Sequence, residues 1–257
     1  MSSIHPSAVV DGSARLGEGV KIGPFCLVGA DVEIGDNSDL RSHVAITGPT
    51  KLGSENIIHP FCSIGGRSQD LKYVGEPTHL EIGDRNTFRE SCTINRGTAP
   101  ESVTRIGRDN HFLAYSHVAH DCVVGNHVIF SNNGTLAGHV VVEDHAVIGG
   151  LSAVHQFCRI GQHAILGGCT KIVQDVPPFM IADGNPAEVR GINQVGLERR
   201  GFAPETLRAL REAYRLLWRS NLNTRQALDA IREQIVPDPQ IEALIAFIEA
   251  SKRGIVR

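Results

Sequence analysis

The sequence predicts a mainly β protein: a parallel β-helix of hexapeptide repeats over residues 1–190, followed by a small C-terminal α-helical domain over residues 191–257. Two observations carry this prediction. An apolar residue recurs at every sixth position through the first two thirds of the chain, and apolar residues recur at helical spacing near its end. Neither a 3.6-residue period nor strict alternation describes the first pattern, whereas a stack of short parallel strands does.

The six-residue period begins at Ile4 and ends at Ile172, and all but three positions in this frame carry valine, isoleucine, leucine or phenylalanine. The three exceptions are Asp70, Glu76 and Pro100. They predict insertion loops near residues 66–80 and 97–105. Because three hexads form one coil, residues 18 apart stack in one column on successive coils, roughly 4.8 Å apart. A glycine follows the apolar anchor in many hexads, and we expect it to adopt positive φ in the turn.

Five of the six cysteines fall in this frame, at separations that are multiples of six. They are Cys26, Cys62, Cys92, Cys122 and Cys158. Metal sites and redox pairs need clustered cysteines instead, and a free cysteine packs as a small hydrophobe. We therefore expect buried structural thiols at these five positions, with Cys169 outside the frame.

Composition and charge exclude several classes of protein. The 257 residues are 41% hydrophobic and 21% charged, with a formal net charge of −3. The chain can therefore bury a core, and it lacks the basic surplus of a nucleic-acid-binding protein. It starts without a basic and apolar leader, and eighteen consecutive apolar residues occur nowhere. We expect a cytoplasmic protein with neither membrane insertion nor a nucleic-acid partner.

Three helices are predicted after the repeat. Pro204 begins a run with apolar residues at helical spacing, Asn223 can cap a second helix, and the pair Asp238-Pro239 begins a third. The apolar stripes of these helices indicate core and inter-subunit packing rather than a membrane surface.

Three of the twelve histidines form a column, because His127, His145 and His163 are each 18 residues apart. Their place in the hexad points outward, so we expect a solvated ladder. A zinc site would need three imidazoles that converge from neighbouring subunits. We therefore expect no metal.

A second polar group centres on His120. Coil stacking places His120 in one column with Gly138 and Gln156, and Asp121 in the next column with His139. Imidazole titrates near neutral pH, so an acidic residue that orients it and a backbone N–H on the same groove make a general-base arrangement. The alternative is a polar ladder without a catalytic function.

Eight stretches spread over the whole chain resemble one family. They are Ile22–Cys26, Asp70–Tyr73, Gly75–Thr78, Ala119–Asp121, Leu136–His139, Val154–Cys158, Asp175–Pro178 and Arg199–Phe202. By these motifs the chain is similar to the UDP-N-acetylglucosamine O-acyltransferases, the hexapeptide-repeat acyltransferases that start lipid A synthesis. The resemblance implies a left-handed β-helix, a homotrimer and no cofactor. It also implies transfer of an (R)-3-hydroxyacyl group from acyl carrier protein to the 3-hydroxyl of UDP-N-acetylglucosamine, in clefts between subunits.

The resemblance also implies roles for individual residues. His120 is the implied general base, Asp121 orients it, and the Gly138 N–H stabilises the oxyanion formed from the thioester. The residues implied to position the sugar and diphosphate are His117, His139, His155, Gln156, Asp70 and Lys72. Those implied at the nucleotide end are Asn193, Arg199 and Arg200.

Two positions depart from the family pattern. Asn95 stands where the family usually has histidine, and Val195 where many members have an acidic residue. Asn95 remains a candidate substrate-binding residue, but it carries no charge, so an acceptor with a 3-amine instead of the 3-hydroxyl stays open. Two further functions stay open as well: a small-acyl transferase that uses coenzyme A, and a β-helical scaffold without catalysis.

Gly168 bears on the length of the acyl chain. It stacks 18 residues from Gly150, so two successive coils lack a side chain in one column. In the family that the chain resembles, glycine at this position goes with long, myristoyl-class donors, and a bulky residue such as methionine with shorter ones. We therefore expect a long 3-hydroxyacyl chain beside Gly168. The alternative is that Gly168 only serves a tight turn beside Gly167.

Overall fold

The computed structural model describes residues 2–257, and Met1, where the predicted first domain begins, lies outside the described residues. From Ser3 to Ile172 the chain winds in coils, and each complete coil contributes one short strand to each of three sheets. The strands of successive coils pair in parallel; Ser3, for example, lies opposite Lys21. The observed architecture is therefore a parallel β-helix with three flat sides.

The strands are mostly two residues long, because each hexad holds one strand and one turn. In chain order they are β1 (Ser3–Ile4), β2 (Val9–Val10), β3 (Arg15–Leu16), β4 (Lys21–Ile22), β5 (Leu27–Val28), β6 (Val32–Ile34), β7 (Asp39–Leu40), β8 (Ala45–Ile46), β9 (Thr50–Leu52), β10 (Ile57–Ile58), β11 (Ser63–Gly66), β12 (His79–Ile82), β13 (Thr87–Phe88), β14 (Thr93–Asn95), β15 (Val103–Ile106), β16 (His111–Phe112), β17 (His117–Val118), β18 (Val123–Val124), β19 (Ile129–Phe130), β20 (Thr135–Leu136), β21 (Val141–Val142), β22 (Val147–Ile148), β23 (Ala153–Val154), β24 (Arg159–Ile160), β25 (Ile165–Leu166), β26 (Lys171–Ile172), β27 (Met180–Asp183) and β28 (Glu188–Ile192).

Every third strand belongs to the same sheet. The first sheet has the order β1-β4-β7-β10-β13-β16-β19-β22-β25-β27-β28, the second β2-β5-β8-β11-β14-β17-β20-β23-β26, and the third β3-β6-β9-β12-β15-β18-β21-β24. All pairs are parallel except β27 with β28, which form an antiparallel hairpin. A turn after a strand of the second sheet therefore lies at a different corner of the prism from a turn after a strand of the third sheet.

The predicted anchors form the core. From Ile22 to Ile172 every apolar anchor is buried, and the rings of Phe88, Phe112 and Phe130 stack with centroids 4.8 and 4.7 Å apart. Ile4 is instead 47% exposed, because within residues 2–257 the first coil is covered on one side only, where β1 pairs with β4. The five cysteines of the hexad frame are buried free thiols and Cys169 is exposed, so the prediction for the thiols is confirmed.

The expected role of the glycines that follow the anchors is wrong at all but one position. Gly65 is the member of this set that has positive φ, at 74°. Elsewhere the left-handed residue lies two positions after the glycine, as at Phe25 and Asn37. The glycine is needed for a different reason: a Cβ at Gly23, for example, would overlap the carbonyl group of Arg41 on the next coil. These glycines allow the coils to stack closely.

The coil pattern is interrupted after β11 and again after β14. Residues 67–78 and 96–102 hold no strand. The chain returns in register, since Leu80 pairs with Thr50 of the coil below and Ile82 pairs with Ile106 of the coil above. Both loops are therefore carried by a stack whose hydrogen bonding continues on either side of them.

Four helices follow the β-helix. They are α1 (Gln194–Arg199), α2 (Pro204–Trp218), α3 (Thr224–Gln234) and α4 (Pro239–Glu249). The three predicted helices are confirmed at their predicted starts, because α2 begins at Pro204 and the side chains of Asn223 and Asp238 cap α3 and α4. Helix α1 and the β27–β28 hairpin were not predicted. None of the helices in residues 2–257 has the length and apolar character that crossing a bilayer requires.

Asp175, buried just after the last coil, links the C-terminus to the β-helix. Its carboxylate accepts hydrogen bonds from the Arg159 N–H at 2.8 Å and from the Ser251 hydroxyl at 2.7 Å. The Val256 N–H donates to the Asp175 carbonyl oxygen at 2.9 Å. The C-terminal segment is thereby attached to the end of the coil stack.

Candidate active site

A histidine–aspartate pair lies in the turn between β17 and β18. The side chains of His120 and Asp121 are 11% and 9% exposed, and His120 Nδ1 lies 2.8 Å from Asp121 Oδ2. An ionised carboxylate can only accept, so Nδ1 carries the proton of a neutral His120 and Nε2 is left as an acceptor. Asp121 has a φ of 60°, the left-handed conformation of this corner. The turn geometry of the coil therefore determines the relative position of the His120 and Asp121 side chains.

The neighbours of Asp121 keep its carboxylate ionised. Burial opposes ionisation, but contacts with the Ser102 hydroxyl, His120 and the Thr98 N–H outweigh it and hold the pKa of Asp121 below its usual value. The Thr98 nitrogen lies 3.2 Å from Oδ2, and the Asp121 N–H donates to the Thr104 hydroxyl at 2.8 Å. A fixed negative charge thus stays beside His120 Nδ1 at neutral pH.

Gly138 lies on the coil that follows His120, at a point where no side chain has room. A Cβ at Gly138 would overlap the His120 ring. The flanking N–H groups of Ala137 and His139 donate to carbonyl oxygens of Val154 and His120, whereas the Gly138 N–H donates no hydrogen bond within residues 2–257. Gly138 therefore lies beside the imidazole with an N–H that is unpaired in residues 2–257, and such a donor can stabilise a developing oxyanion.

Two further histidines flank the pair. His139 Nε2 lies 3.7 Å from Asp121 Oδ2, and its ring meets that of His120 edge to face with centroids 5.2 Å apart. His117 Nδ1 lies 2.7 Å from the Thr93 hydroxyl oxygen, and burial lowers the pKa of His117. The structure thus brings both predicted histidines to the His120 group.

His155 and Gln156 lie one coil further along the same face and are exposed. His155 Nδ1 is 3.2 Å from the Gln156 carbonyl oxygen and 3.5 Å from a nitrogen of the Arg253 guanidinium group. Gln156 stacks on the coil that follows Gly138, and its side chain is exposed. It is therefore accessible on the same column of the coil stack.

The two insertion loops reach Asp121 through a chain of hydrogen bonds. The Ser68 hydroxyl lies 2.6 Å from that of Thr98, whose N–H contacts the Asp121 carboxylate. Asp70 Oδ1 accepts a hydrogen bond from the Lys72 N–H at 2.9 Å, which shapes the first loop. The Lys72 side chain is exposed and forms no ion pair with any described residue. The loop is connected to the pair, but Lys72 itself is not in contact with it.

Asn95 is 6% exposed at the end of β14. Its Nδ2 donates to the carbonyl oxygen of Arg67 at 3.1 Å, and its buried Oδ1 has no partner in residues 2–257. Asn95 therefore supports the base of the first loop and keeps one acceptor unused.

Gly168 has no structural need to be glycine. A Cβ there would meet the Gly150 carbonyl oxygen at 3.5 Å, an ordinary van der Waals contact, and Gly168 does not have positive φ. A Cβ at Gly167, by contrast, would overlap the Asp183 side chain. The close approach of Asp183 therefore favours glycine at 167, whereas the space at 168 is open.

The three residues implied at the nucleotide end lie at α1. Asn193 is buried; its Oδ1 accepts from the Gly196 N–H at 3.1 Å and its Nδ2 donates to the His163 carbonyl oxygen at 2.9 Å. Arg199 and Arg200 are exposed. No hydrogen bond or ion pair among the described residues joins these three side chains to His120.

The histidine column differs from its sequence-based description. The rings of His127, His145 and His163 stack with centroids 4.8 and 4.7 Å apart, but His163 is 7% exposed rather than solvated, because Phe202 packs against it edge to face. Arg200 Nη1 donates to His145 Nδ1 at 2.6 Å. Sequence reasoning missed this role of His145, since no periodicity relates a hexad position to a residue of α1.

His120, Asp121 and His139 are the described residues whose ligand atoms, all within 4.8 Å of one another, come close enough to hold a metal ion. The 2.8 Å contact between His120 Nδ1 and Asp121 already uses one atom of each side chain. That pairing is the one by which a carboxylate orients a general base. The rings of the histidine column stack face to face and do not converge on a common point within this chain.

Parallel β-helices with hexapeptide coils are typical of acyltransferases, and a base beside a free N–H suits acyl transfer. Residues 13–48 match the model for bacterial transferase hexapeptide repeats, and residues 175–256 match the model described as "Udp N-acetylglucosamine O-acyltransferase; Domain 2". The fold and site thus define a hexapeptide-repeat acyltransferase.

Solved structures narrow this class. LpxA from Acinetobacter baumannii is 46% identical over 99% of both chains, with a TM-score of 0.96. UDP-N-acetylglucosamine O-acyltransferase from Moraxella catarrhalis is 48% identical over 99% of both chains, with a TM-score of 0.94. The Arabidopsis UDP-N-acetylglucosamine acyltransferase is 37% identical over 99% of this chain and 100% of that one, with a TM-score of 0.90. The chain belongs to the UDP-N-acetylglucosamine O-acyltransferase family, and the predicted left-handed β-helix with a helical C-terminal region is confirmed.

The lowered pKa of His163 should make the stability of the protein depend on pH. Burial, with repulsion from His145 and Arg200, lowers the pKa of His163 to about 4 from an ordinary value of 6.5. Between these two values the unfolded chain binds a proton that the folded chain does not. The free energy of unfolding should therefore fall as the pH decreases from about 6.5 toward 4, by on the order of 1–3 kcal/mol.

Urea denaturation at pH 7 and pH 4.5 measures this loss. His163→Phe can keep the aromatic packing against Phe179 and Phe202, so it should lose less stability between the two pH values than the wild type. His127→Phe, at the exposed end of the column, is the matched control and should keep the wild-type loss. An equal loss in wild type and His163→Phe would contradict the prediction.

Proposed function

We propose that this protein transfers a long-chain (R)-3-hydroxyacyl group from acyl carrier protein to the 3-hydroxyl of UDP-N-acetylglucosamine, the first step of lipid A biosynthesis. The observation that carries the proposal is the His120–Asp121 contact of 2.8 Å with the free Gly138 N–H beside the imidazole. The thioester supplies the activated acyl group, so the transfer needs no cofactor. Both substrates are cytoplasmic molecules, and we place the reaction there.

His120 acts as the general base in this mechanism. Its Nε2 removes the proton from the 3-hydroxyl while the hydroxyl oxygen attacks the thioester carbonyl carbon. The Gly138 N–H donates to the oxyanion of the tetrahedral intermediate. Collapse of the intermediate breaks the C–S bond, and the imidazolium returns its proton to the thiolate of the carrier protein. The ionised Asp121 holds the productive tautomer of His120 and stabilises the imidazolium.

The polar residues around the pair suit a sugar diphosphate. His117 and His139 flank His120, and the exposed His155 and Gln156 continue the same face. Asp70, Lys72 and Asn95 belong to the first loop or its base, which is connected to Asp121 through Thr98. We propose that these residues position the acceptor, and that Asn193, Arg199 and Arg200 form the nucleotide end of the site.

The corners of the prism support a homotrimer. The turn with His120 joins the second sheet to the third, whereas Arg200 contacts His145, whose turn joins the third sheet to the first. One chain thus holds the base and the nucleotide end on different corners. We propose that a groove between neighbouring chains brings both together, and a three-fold arrangement gives three equal grooves.

Light scattering tests this arrangement at micromolar concentration. We expect a particle of three times the 27.8 kDa chain mass. A particle that persists at the mass of a single chain would refute the shared groove.

A direct assay tests the reaction and its acceptor. The purified protein is incubated with 3-hydroxyacyl carrier-protein thioester and an equal mixture of UDP-N-acetylglucosamine and its 3-amino analogue, and the products are read by mass spectrometry. We expect the ester to dominate. If the amide dominates, the acceptor is the 3-amino analogue. Turnover with coenzyme A thioesters alone would indicate a small-acyl transferase. No acyl transfer at all would favour a scaffold without catalysis.

His120→Ala should lower the rate by on the order of 10²–10⁴, the contribution of a general base. The fold should be unchanged, because the substitution shortens a groove side chain and leaves the apolar anchors intact. His127→Ala, on the histidine column, is the control and should keep the wild-type rate. A correctly folded His120→Ala protein with nearly full turnover would refute the mechanism.

Gly168 should set the acyl length. Each buried methylene contributes about 0.8 kcal/mol until a side chain closes the groove. We expect kcat/KM to rise with chain length in the wild type, Gly168→Ala to change this little, and Gly168→Met to shift the optimum to shorter donors. This preference is measured as kcat/KM for a series of 3-hydroxyacyl carrier-protein thioesters of increasing chain length. An unchanged preference in Gly168→Met would mean that another residue limits the acyl length.

A further inference from the structure

A contact that the proposed mechanism does not use joins the end of α1 to the histidine column of His127, His145 and His163. Arg200 Nη1 lies 2.6 Å from His145 Nδ1, although Arg200 is otherwise exposed. The His145 ring is held on both sides, since it stacks on His127 at 4.8 Å and on His163 at 4.7 Å. The guanidinium group therefore meets an acceptor whose position is fixed by the coil stack.

The segment that carries Arg200 is docked on the same column at two further points. The Asn193 amide donates to the carbonyl oxygen of His163 at 2.9 Å, and the Phe202 ring meets the His163 ring edge to face at 5.0 Å. Arg200 lies between these two attachments in the sequence. These two attachments fix the main chain on either side of Arg200. His145 then supplies the contact that orients the guanidinium group at the end of the side chain.

The chemistry of the contact defines the state of His145. An arginine side chain has donors and no acceptor, so His145 Nδ1 must present its lone pair and the ring must be neutral. We propose that neutral His145 is a positioning residue, which holds Arg200 in the orientation that binds the nucleotide end of the sugar nucleotide. This inference rests on the proposed function, since it concerns the nucleotide end of the same site.

The surroundings of His145 favour the neutral ring. The titratable and charged groups that face it are His127 and His163 in the column, the neighbouring Asp144, and Arg200 from the end of α1. Burial, followed by Arg200 and His127, lowers the pKa of His145, and Asp144 opposes the shift. When the pH falls far enough to protonate the ring, donor faces donor, so Arg200 loses its orientation at acidic pH and keeps it at neutral pH.

Two substitutions at His145 distinguish the effect of the hydrogen-bond acceptor from the effect of the aromatic ring. His145→Phe keeps an aromatic ring in the stack but removes the acceptor. The left-handed conformation of this corner, with φ of 63° at His145, already holds phenylalanine at Phe179, which stacks on His163. His145→Asn keeps an acceptor oxygen near the place of Nδ1 and cannot be protonated. His127→Phe changes the same column without touching Arg200 and serves as the matched control.

Steady-state kinetics at saturating acyl donor give the first test. We expect His145→Phe to raise the KM for UDP-N-acetylglucosamine about tenfold, which corresponds to about 1.4 kcal/mol, with kcat unchanged within about twofold. His145→Asn should stay near the wild-type KM at pH 7.5 and lose the rise in KM that the wild type shows as the pH falls toward 5.5. An unchanged KM in His145→Phe, or the same rise in KM in His127→Phe, would overturn the proposal.

Titration of ¹³C-labelled histidines by NMR gives a second test that needs no turnover. Arg200→Gln removes the cation, so the pKa of His145 should rise relative to the wild type. If the pKa of His145 does not change, the contact is absent and the proposal fails. If the wild type binds or converts no sugar nucleotide while the pKa rises as expected, the proposed function fails and the contact stands.

Discussion

The pairing of successive coils at a fixed register is the constraint on which this structure depends. Each two-residue strand makes too few hydrogen bonds to be stable alone, so it exists only because the coils below and above supply partners. Equal coil lengths then bring residues 18 apart into contact. The register survives the two insertions, as the pairing of Leu80 with Thr50 demonstrates. A column of the stack is therefore as regular as one face of a helix.

This register builds the candidate active site from residues that are ordinary members of the repeat. His120 and Gly138 are one coil apart, so the imidazole lies directly against the glycine backbone, and Asp121 meets His139 across the same step. The loops at 67–78 and 96–102 add what a uniform stack lacks: groups such as Thr98, whose N–H reaches in to the carboxylate. The rigid columns fix the reacting atoms, and the irregular loops complete their surroundings.

The same register decides what could be predicted from sequence. The anchors, the buried thiols and the grouping of His120 with Gly138 follow from counting in sixes. Three features did not follow. The left-handed turn residue is set by how a corner closes, and side chains such as Asn37 and Phe25 adopt it alike. Helix α1 is too short to show a period. The contact of Arg200 with His145 depends on how α1 docks on the stack, which no local pattern encodes.

Two glycines, Gly138 and Gly168, differ in whether packing requires a glycine at their position. Gly138 must be glycine for packing, since a Cβ would overlap the His120 ring, and the close approach it permits is itself part of the proposed mechanism. Gly168 has a Cβ direction that meets nothing closer than an ordinary contact and a backbone that any residue can adopt. The sequence shows both as glycine in a hexad. Since neither packing nor backbone conformation requires glycine at 168, the open space there is the feature on which the proposed role of Gly168 in acyl length depends.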